Sequence, residues 1–476
     1  MTGAPTTART TTGPAATGTA PTGRTLFALA FAGMLVAVQQ TLVLPMLPQL
    51  IAGFGAPITD VTWVFTASLL AGAVATPLLT RFGDMYGKKR MILLALALLL
   101  TGSVICAASG SLVVLIAGRA VQGVSSALIP LAIGMIRDTF PRERVTTAIG
   151  VLSATMGAGG SAGMIATGLI AARTDSHRPV FWVASGVTAA GLVLVAAMAR
   201  DSGVRAGGRP DYPGVAVLAA WLVCLLLGIS QGNAWGWTSA GVLGLFGAAA
   251  ALCAVWVVIE MRVPNPLVRL NLLVGNRSLA ANVVSALLGF SLFAAFTLIA
   301  GFVQAEPEAV GYGLGGSVLD VGLYMLPNTV TMLVFSSLAG RIAARLGVAY
   351  TLAVGSVFAS LCYVWLALSN SHPYDMIAFS SIQGIGFGVA YAALGTLAVQ
   401  HVPMDQSGIA SGINSLVRTA GGSVAGAVTA SVLAGRVISG TDIPSLAAYE
   451  LCFWIVAAGA ALAAAVAFVH GLRHPR

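Results

Sequence analysis

The chain has 476 residues, of which 57% are hydrophobic and only 8% are charged, and its formal net charge is +9. Soluble globular proteins carry about 25% charged residues, so this composition excludes a soluble protein and predicts one that lies in a lipid bilayer. The positive charge is spread over short segments between long apolar runs, which disfavours nucleic-acid binding as its purpose.

Apolar runs long enough to cross a bilayer follow one another along the chain. Residues 1–24 lack an apolar core segment, so we interpret them as a disordered cytoplasmic tail and not as a secretory signal. After this tail the runs predict an all-α polytopic membrane protein. Its fourteen predicted helices lie at residues 26–48, 61–80, 91–108, 113–136, 145–171, 179–199, 214–231, 239–259, 279–304, 320–340, 348–369, 376–400, 407–435 and 449–470.

The basic residues predict the orientation of these helices. With an even helix count and a cytoplasmic N-terminus, most of the 24 Lys and Arg residues fall on the cytoplasmic side, as basic residues do in membrane proteins. We therefore expect a multi-pass protein of the plasma membrane with both termini in the cytoplasm.

Three segments of the first half recur in the second half at nearly constant spacing. TPLLTRFGDMYGKKR (76–90) resembles FSSLAGRIAARLG (335–347), and RAVQGVSSA (119–127) resembles SIQGIGFGV (381–389). Gly159-Gly160-Ser161 likewise matches Gly421-Gly422-Ser423. The repeats predict two six-helix bundles, at 25–200 and 278–476, joined by a linker and two extra helices within 201–277. Carriers built from repeats place the substrate path between them.

Two arginines lie within predicted spans. Arg119 in the fourth helix is followed by Gln122 and Gly123, and Arg418 in the thirteenth helix lies four residues after Asn414. A cation facing lipid costs at least about 3 kcal/mol, so we expect both side chains to project into one water-filled crevice as part of a substrate or proton path. For Arg418 a second interpretation stays open, in which it binds backbone carbonyls of a neighbouring helix.

The segment Gly83–Arg90, between the second and third predicted helices, combines an acid with several cations around a turn that Gly87 permits. This motif resembles the signature loop of the major facilitator superfamily. Arg119-x-x-Gln122-Gly123 resembles a motif of the fourth helix in that family, where the arginine is tied to proton movement. Within the superfamily the chain resembles the fourteen-helix drug:proton antiporters, which export antibiotics and dyes.

The resemblance implies a latch that holds the outward-facing state. Asp84 would face the N-terminus of the thirteenth helix near Ser407, where the helix dipole favours a carboxylate. The latch would comprise Asp84, Gly87, Lys88, Lys89 and Arg90. The alternative is a solvated basic loop that only enforces topology.

Two other helices depart from the family pattern. The fifth helix resembles the antiporter motif in its small face of Gly150, Gly159, Gly163 and Gly168, but Met164 stands where a proline is expected. In the first helix, Gln39 stands where the family has an aspartate, so the usual acid within the membrane is missing. Other acids near the spans, which we interpret as helix-end residues, are Asp60, Glu260, Asp320 and Glu450.

These features predict a secondary active exporter of a small amphiphilic compound, an antibiotic or drug that is neutral or anionic, because arginine binds carboxylates well. We expect alternating access coupled to proton influx, a monomer, and neither cofactor nor metal. Alternatives are an importer or facilitator of the same fold and a membrane sensor that transports nothing. A membrane enzyme is disfavoured, since no catalytic constellation is found in the sequence.

Overall fold

The structure, a computed structural model, is described here for residues 22–43, 46–56, 58–61, 63–171, 173–174, 176–205, 211–263, 275–400, 402–439, 441 and 443–474. These residues are almost entirely helical, apart from an isolated β-bridge between Val437 and Pro444. The predicted tail lies outside the described residues up to residue 21, and the first helix begins at Thr22. Parts of the predicted linker, 206–210 and 264–274, also lie outside them.

Six spans form the N-terminal bundle. Their helices are α1 (Thr22–Thr41), α4 (Trp63–Tyr86), α5 (Lys88–Ala108), α6 (Leu112–Gly123), α7 (Leu128–Thr139), α8 (Arg142–Ala171) and α9 (Arg178–Met198). A 3-10 turn over Val124–Ala127 joins α6 to α7, so these two helices together make the fourth predicted span. The short helices α2 (Leu47–Phe54) and α3 (Ile58–Val61) connect α1 to α4.

The central pair and the C-terminal bundle follow. The pair consists of α10 (Tyr212–Trp235) and α11 (Ala240–Arg262). The C-terminal bundle contains α12 (Asn276–Gln304), the short α13 (Pro307–Val310) and α14 (Val318–Tyr324), then α15 (Leu326–Leu346), α16 (Val348–Leu368), α17 (Pro373–Gln400), α18 (Ser407–Gly435) and α19 (Leu446–Arg473).

Thirteen spans in the described part of the chain are long and apolar enough to cross a membrane. The 20-residue α1, which packs along α8 and α9, is the remaining helix of the predicted set. Large apolar side chains such as Val113 and Leu368 are exposed, as is usual for helices that face lipid and not water. The all-helical membrane fold predicted from the sequence is therefore confirmed.

The two bundles repeat the same packing. In the first, α1 lies against α8 and α9 while α6 lies against α4 and α5; in the second, α12 lies against α18 and α19 while α17 lies against α15 and α16. The backbone carbonyls of Ser68 and Asn328 occupy the space that a Cβ would take on Gly123 and Gly384, respectively. These glycines were paired by the sequence repeat, and both allow a close helix crossing.

The segment between α4 and α5 differs from the prediction. The sequence placed a loop at Gly83–Arg90, whereas α4 continues to Tyr86 and α5 begins at Lys88. Gly87 alone makes the turn, with φ 114°, a value that side chains with a Cβ rarely adopt. Polar residues near a membrane surface can extend a helix past the bilayer, so charge alone did not mark the helix ends.

The bundles meet along two sets of helices. On one side α8 packs against α15 and α17, and on the other α18 packs against α4 and α7. Helix α10 contacts both α4 and α18, while α11 packs against α10. The buried apolar side chains form several clusters, two mainly in the N-terminal bundle and two mainly in the C-terminal bundle.

Candidate functional site

A crevice lies between the bundles near the middle of the spans. Its walls come from α1, α4, α7 and α8 on one side and from α12 and α18 on the other. The described residues that line it are Gly33, Val36, Ala37, Gln40, Leu69, Gly72, Ala73, Thr76, Ser126, Ile129, Met156, Phe293, Ser415, Leu416, Arg418 and Thr419. Arg418 is the charged residue of this set, and the rest are apolar or neutral and polar.

The Arg418 side chain has few partners in the described part of the chain. Its guanidinium donates a hydrogen bond from Nη2 to Ser415 Oγ at 3.0 Å, and its Cζ lies 5.4 Å from the centre of the Tyr391 ring. A guanidinium has five N–H donors, so this arrangement leaves donors for a ligand. The residue is 9% exposed.

Arg119 has a different environment. It is 1% exposed, and its Nε donates to the Val64 carbonyl at 3.1 Å. Its Nη1 donates to the Gln39 carbonyl at 3.0 Å and to Gln122 Oε1 at 2.7 Å. The amides of Gln122 and Gln39 both donate to Ser103 Oγ, at 2.8 and 3.0 Å. Arg119 thus belongs to a sealed polar network that ties α1, α4, α5 and α6 together.

The expectation that both guanidinium groups project into one crevice is therefore corrected. Arg418 lines the crevice, but Arg119, Gln122 and Gln39 are bonded to one another inside the N-terminal bundle. Gly123 packs against α4, as described above, and does not line the crevice. The predicted part of these residues in proton movement stays a prediction.

Asn414 also lies away from the crevice lining. Its Nδ2 donates to the Ala281 carbonyl at 3.2 Å, and its own carbonyl accepts from Ser285 Oγ at 2.8 Å. These bonds fix α18 to α12. The prediction that Asn414 and Arg418 share one helix face did not reveal which neighbouring helix each side chain meets.

The Asp84 carboxylate lies at the N-terminus of α18. Its two oxygens accept hydrogen bonds from the backbone N–H groups of Gly408 at 3.0 Å and Ile409 at 2.8 Å. A helix N-terminus carries unpaired N–H groups and a positive partial charge, so the contact is favourable. The position agrees with the one that the resemblance implied, and the role of the contact as a latch stays a prediction.

Asp138, at the end of α7, forms a polar cluster with Asp84, Lys88 and Ser407. The sequence analysis did not identify Asp138 as a member. Lys88 Nζ lies 2.9 Å from Asp84 and 2.7 Å from Asp138, and all three side chains are fully buried. Ser407 Oγ donates to Asp138 Oδ1 at 3.1 Å. In the sequence, Asp138 follows Arg137 before a polar loop, which gave no sign that it faces another bundle.

The remaining predicted members of the latch do not join the cluster. Lys89 donates to the Ala196 carbonyl of α9 at 2.9 Å, and Arg90 is exposed. Successive residues of a helix point in directions about 100° apart, so only Lys88 can face α7. The latch predicted from Asp84, Gly87, Lys88, Lys89 and Arg90 is thus corrected to Asp84 and Lys88 at the turn of Gly87, with Asp138 and Ser407.

Another contact joins the bundles next to the Asp84 carboxylate. Arg137 in α7 donates to the backbone carbonyls of Val402 and Pro403, which precede α18. Together with the Asp84 contact, this joins α4 and α7 of one bundle to α18 of the other. The bundles are therefore in contact on the side where α4 ends and α18 begins.

The glycines of α8 serve different contacts. The Met34 carbonyl of α1 occupies the space of a Cβ on Gly159, and Thr41 Oγ1 of α1 would lie 2.5 Å from one on Gly163. The Ser336 carbonyl of α15 lies against Gly150, whereas nothing lies within 4 Å of a Cβ on Gly168. Close packing therefore involves Gly150, Gly159 and Gly163, and the inclusion of Gly168 is corrected.

The described residues contain no group of three or more His, Cys, Asp or Glu side chains that could hold a metal ion. Asp320, which we considered as an acid near a span, accepts hydrogen bonds from the Ser317 backbone and hydroxyl at the start of α14. This capping role agrees with its interpretation as a helix-end residue.

Sequence comparison finds relatives among exporters. The chain is 29% identical over 419 residues to the tetracenomycin C resistance and export protein of Streptomyces glaucescens. The aligned region covers 87% of this chain and 76% of the relative. It is 28% identical over 404 residues to the probable actinorhodin transporter of Streptomyces coelicolor, covering 82% of this chain and 68% of the relative.

Structure comparison finds the same fold in a solved transporter. The human organic anion transporter MFSD10 aligns with 94% of this chain and 99% of its own, with a TM-score of 0.66 at 15% identity. The family model described as Major Facilitator Superfamily matches residues 29–426 and 286–476. The repeated six-helix packing and this match together lead to one conclusion, that the chain belongs to the major facilitator superfamily of membrane transporters.

Proposed function

We propose that this protein is a secondary active exporter of small amphiphilic compounds, neutral or anionic, with an antibiotic or drug as its natural substrate. It works in the plasma membrane as a monomer with both termini in the cytoplasm. Residues 25–200 and 278–476 act as the two moving bundles around the crevice, with the linker and central helix pair of 201–277 between them. The exporters among its relatives support this function.

The observation that carries the proposal is the free hydrogen-bonding capacity of Arg418. Its guanidinium lies in a crevice whose other described lining residues are uncharged, and Ser415 uses only part of its donors. A carboxylate could accept two parallel hydrogen bonds from it. Apolar walls formed by residues such as Leu69, Ile129 and Phe293 suit the rest of an amphiphile.

The contacts between the bundles support alternating access. Lys88 pairs with Asp84 and Asp138 inside the N-terminal bundle and so orients both acids. Asp84 at the N-terminus of α18 and the hydrogen bond from Ser407 to Asp138 hold the outward-open state. Loading of substrate from the cytoplasm requires these contacts to separate. Substrate then reaches the crevice, the contacts form again, and release occurs on the outer side.

Proton influx supplies the energy for this cycle. Gln39 cannot titrate, so the proton must act on other groups. Protonation of Asp84 would remove a charge that faces Lys88 and the α18 N-terminus, and would thereby weaken the cytoplasmic contacts. Inward proton flow would in this way return the carrier to the state that takes up substrate.

Transport of a matched series of dyes tests the proposal. Pyrenebutyrate, pyrenebutanol and pyrenebutylamine share one fluorophore but differ in charge, and everted vesicles from an exporter-deficient host report export as uptake. We expect uptake of pyrenebutyrate and pyrenebutanol, with little uptake of pyrenebutylamine. Arg418→Ala should lower pyrenebutyrate uptake about tenfold, since hydrogen bonds to charged groups contribute about 1.5–3 kcal/mol, and should leave pyrenebutanol uptake unchanged.

Arg436→Ala is the matched control, because Arg436 is an exposed arginine at the outer end of the same helix. Vesicles without the protein correct for partitioning of dye into lipid. Equal uptake of the amine and the acid would overturn the anion preference, and uptake only in right-side-out vesicles would overturn export. Uptake that continues unchanged after nigericin collapses the pH gradient would overturn proton coupling.

A further inference from the structure

The stem of Arg418 runs against α12. An added Cβ on Gly289 of α12 would lie 2.8 Å from Arg418 Cγ and closer still to its backbone carbonyl oxygen. Only a residue without a side chain lets α12 and α18 approach this closely. The first part of the arginine side chain is therefore confined by backbone, and its direction toward α17 is restricted.

Tyr391 of α17 receives the guanidinium at the other end. Arg418 Cζ lies 5.4 Å from the centre of the Tyr391 ring, within the distance of a cation–π contact. The Tyr391 hydroxyl donates to the Leu288 carbonyl at 3.4 Å, and the ring of Phe387 stacks on it at 5.2 Å between centroids. Tyr391 is 3% exposed, so its ring is held in place by three neighbours.

A ring differs from the acidic partner that a buried arginine usually has. Its face attracts the cation through the quadrupole of the π-system but carries no net charge. An aspartate or glutamate there would neutralise Arg418 and accept its N–H groups. With tyrosine, the crevice keeps its positive charge and retains N–H donors when no ligand is bound.

We propose that Tyr391 is a positioning and specificity residue that holds the Arg418 guanidinium ready for the negatively charged group of a substrate. This inference rests on the proposed function and identifies the structural basis of its charge preference. The Tyr391 ring packs against the Arg418 guanidinium, and Tyr391 is not among the described residues that line the crevice. Its effect on binding therefore passes through Arg418, and is confined to substrates that carry a negative charge.

Binding to the purified full-length protein in lipid nanodiscs tests the inference. Energy transfer from tryptophan to pyrene gives the Kd of pyrenebutyrate and of pyrenebutanol. Tyr391→Leu, which removes the ring, should raise the Kd of pyrenebutyrate about tenfold, as expected for a desolvated cation–π contact. Tyr391→Phe should stay within about twofold of wild type because the ring remains. Neither substitution should change the Kd of pyrenebutanol.

A double-mutant cycle shows whether the effect depends on Arg418. In the Arg418→Ala background, Tyr391→Leu should cause no further loss of pyrenebutyrate binding. Phe453→Leu, which removes another buried ring of the C-terminal bundle, is the control and should leave both Kd values unchanged. An equal rise of Kd for the acid and the alcohol in Tyr391→Leu, or a full additional loss in the double mutant, would overturn the inference.

The wild-type protein separates this inference from the proposed function. If it binds and exports pyrenebutyrate but Tyr391→Leu behaves as wild type, the positioning role is wrong and the exporter proposal stands. If the wild type binds pyrenebutylamine in preference to pyrenebutyrate, the proposed charge preference is wrong before any variant is compared.

Discussion

Arg119 donates three hydrogen bonds inside the N-terminal bundle, and two of its acceptors are backbone carbonyls of other helices. Arg418 donates one to a neighbouring turn of its own helix and rests on an aromatic ring. Removal of Arg119 would leave several hydrogen-bond acceptors unpaired in the buried interior of the bundle. Removal of Arg418 would chiefly enlarge a crevice that a ligand can enter.

We therefore expect Arg119→Ala to destabilise the protein and Arg418→Ala to leave its stability close to wild type. Each acceptor left buried and unpaired costs about 1–3 kcal/mol. Thermal unfolding of the purified variants in one detergent measures the difference. If both variants unfold at the wild-type temperature, the Arg119 network does not contribute to stability as its hydrogen bonds indicate.

The sequence identified both arginines as buried but could not distinguish their surroundings. Their helices are apolar on all sides, because they face lipid as well as protein, so apolar spacing does not reveal where a side chain points. The acceptors of Arg119 also come from residues 55 and 80 positions away in the chain. Tyr391 carried no signal, since an aromatic residue in an apolar helix usually fills space.

Helix α8 shows how one element divides its small residues between two neighbours. Gly159 and Gly163 face α1 within the N-terminal bundle, while Gly150 faces α15 of the other bundle. Mutations of these glycines therefore have different consequences. Those facing α1 affect the packing inside one bundle, and Gly150 affects the contact surface between the bundles.

Gly159→Ala and Gly168→Ala form a matched pair for this element. The added methyl group at 159 collides with the Met34 carbonyl, whereas the one at 168 enters open space. We expect Gly159→Ala to cost about 1–3 kcal/mol of stability, and Gly168→Ala to be neutral or stabilising by up to about 1 kcal/mol from helix propensity. Thermal unfolding compares them, and equal behaviour would contradict the packing of α8 on α1.

The elements themselves were the most predictable part of the molecule. Long uncharged runs predicted the helices, and hydrophobicity alone suffices for that because the bilayer sets helix length. The repetition of the two halves came from matching segments of sequence. The ends of α4 and α5 were missed, since basic residues are equally compatible with a loop and with a helix that extends beyond the membrane. The contact of Asp84 with α18 came from a resemblance, because hydropathy gives no information about which bundle faces it.

For the molecule as a whole, we propose that the contacts of Asp84 with α18 determine which state is populated. Asp84→Asn keeps the shape of the side chain but removes the charge that faces Lys88 and the α18 N-terminus. We expect the inward-open population to rise about tenfold, since hydrogen bonds to charged groups contribute about 1.5–3 kcal/mol.

Spin labels on cysteines at Tyr86 and Leu346, both exposed and one in each bundle, measure this shift as a longer distance in a background without native cysteines. Asp375→Asn is the control, because Asp375 is also fully buried and caps a helix start away from the cytoplasmic cluster. An unchanged distance distribution in Asp84→Asn would remove the basis for the latch.

The single-residue turn at Gly87 has a mechanical consequence. Because only one residue separates Tyr86 from Lys88, α4 cannot tilt without moving the start of α5. The two helices therefore move as one rigid unit. Lys88 also pairs with Asp84 and Asp138, so α4, α5 and α7 are joined where Asp84 meets α18. We therefore expect these helices to leave α18 together in one step, which would keep partly open intermediates rare.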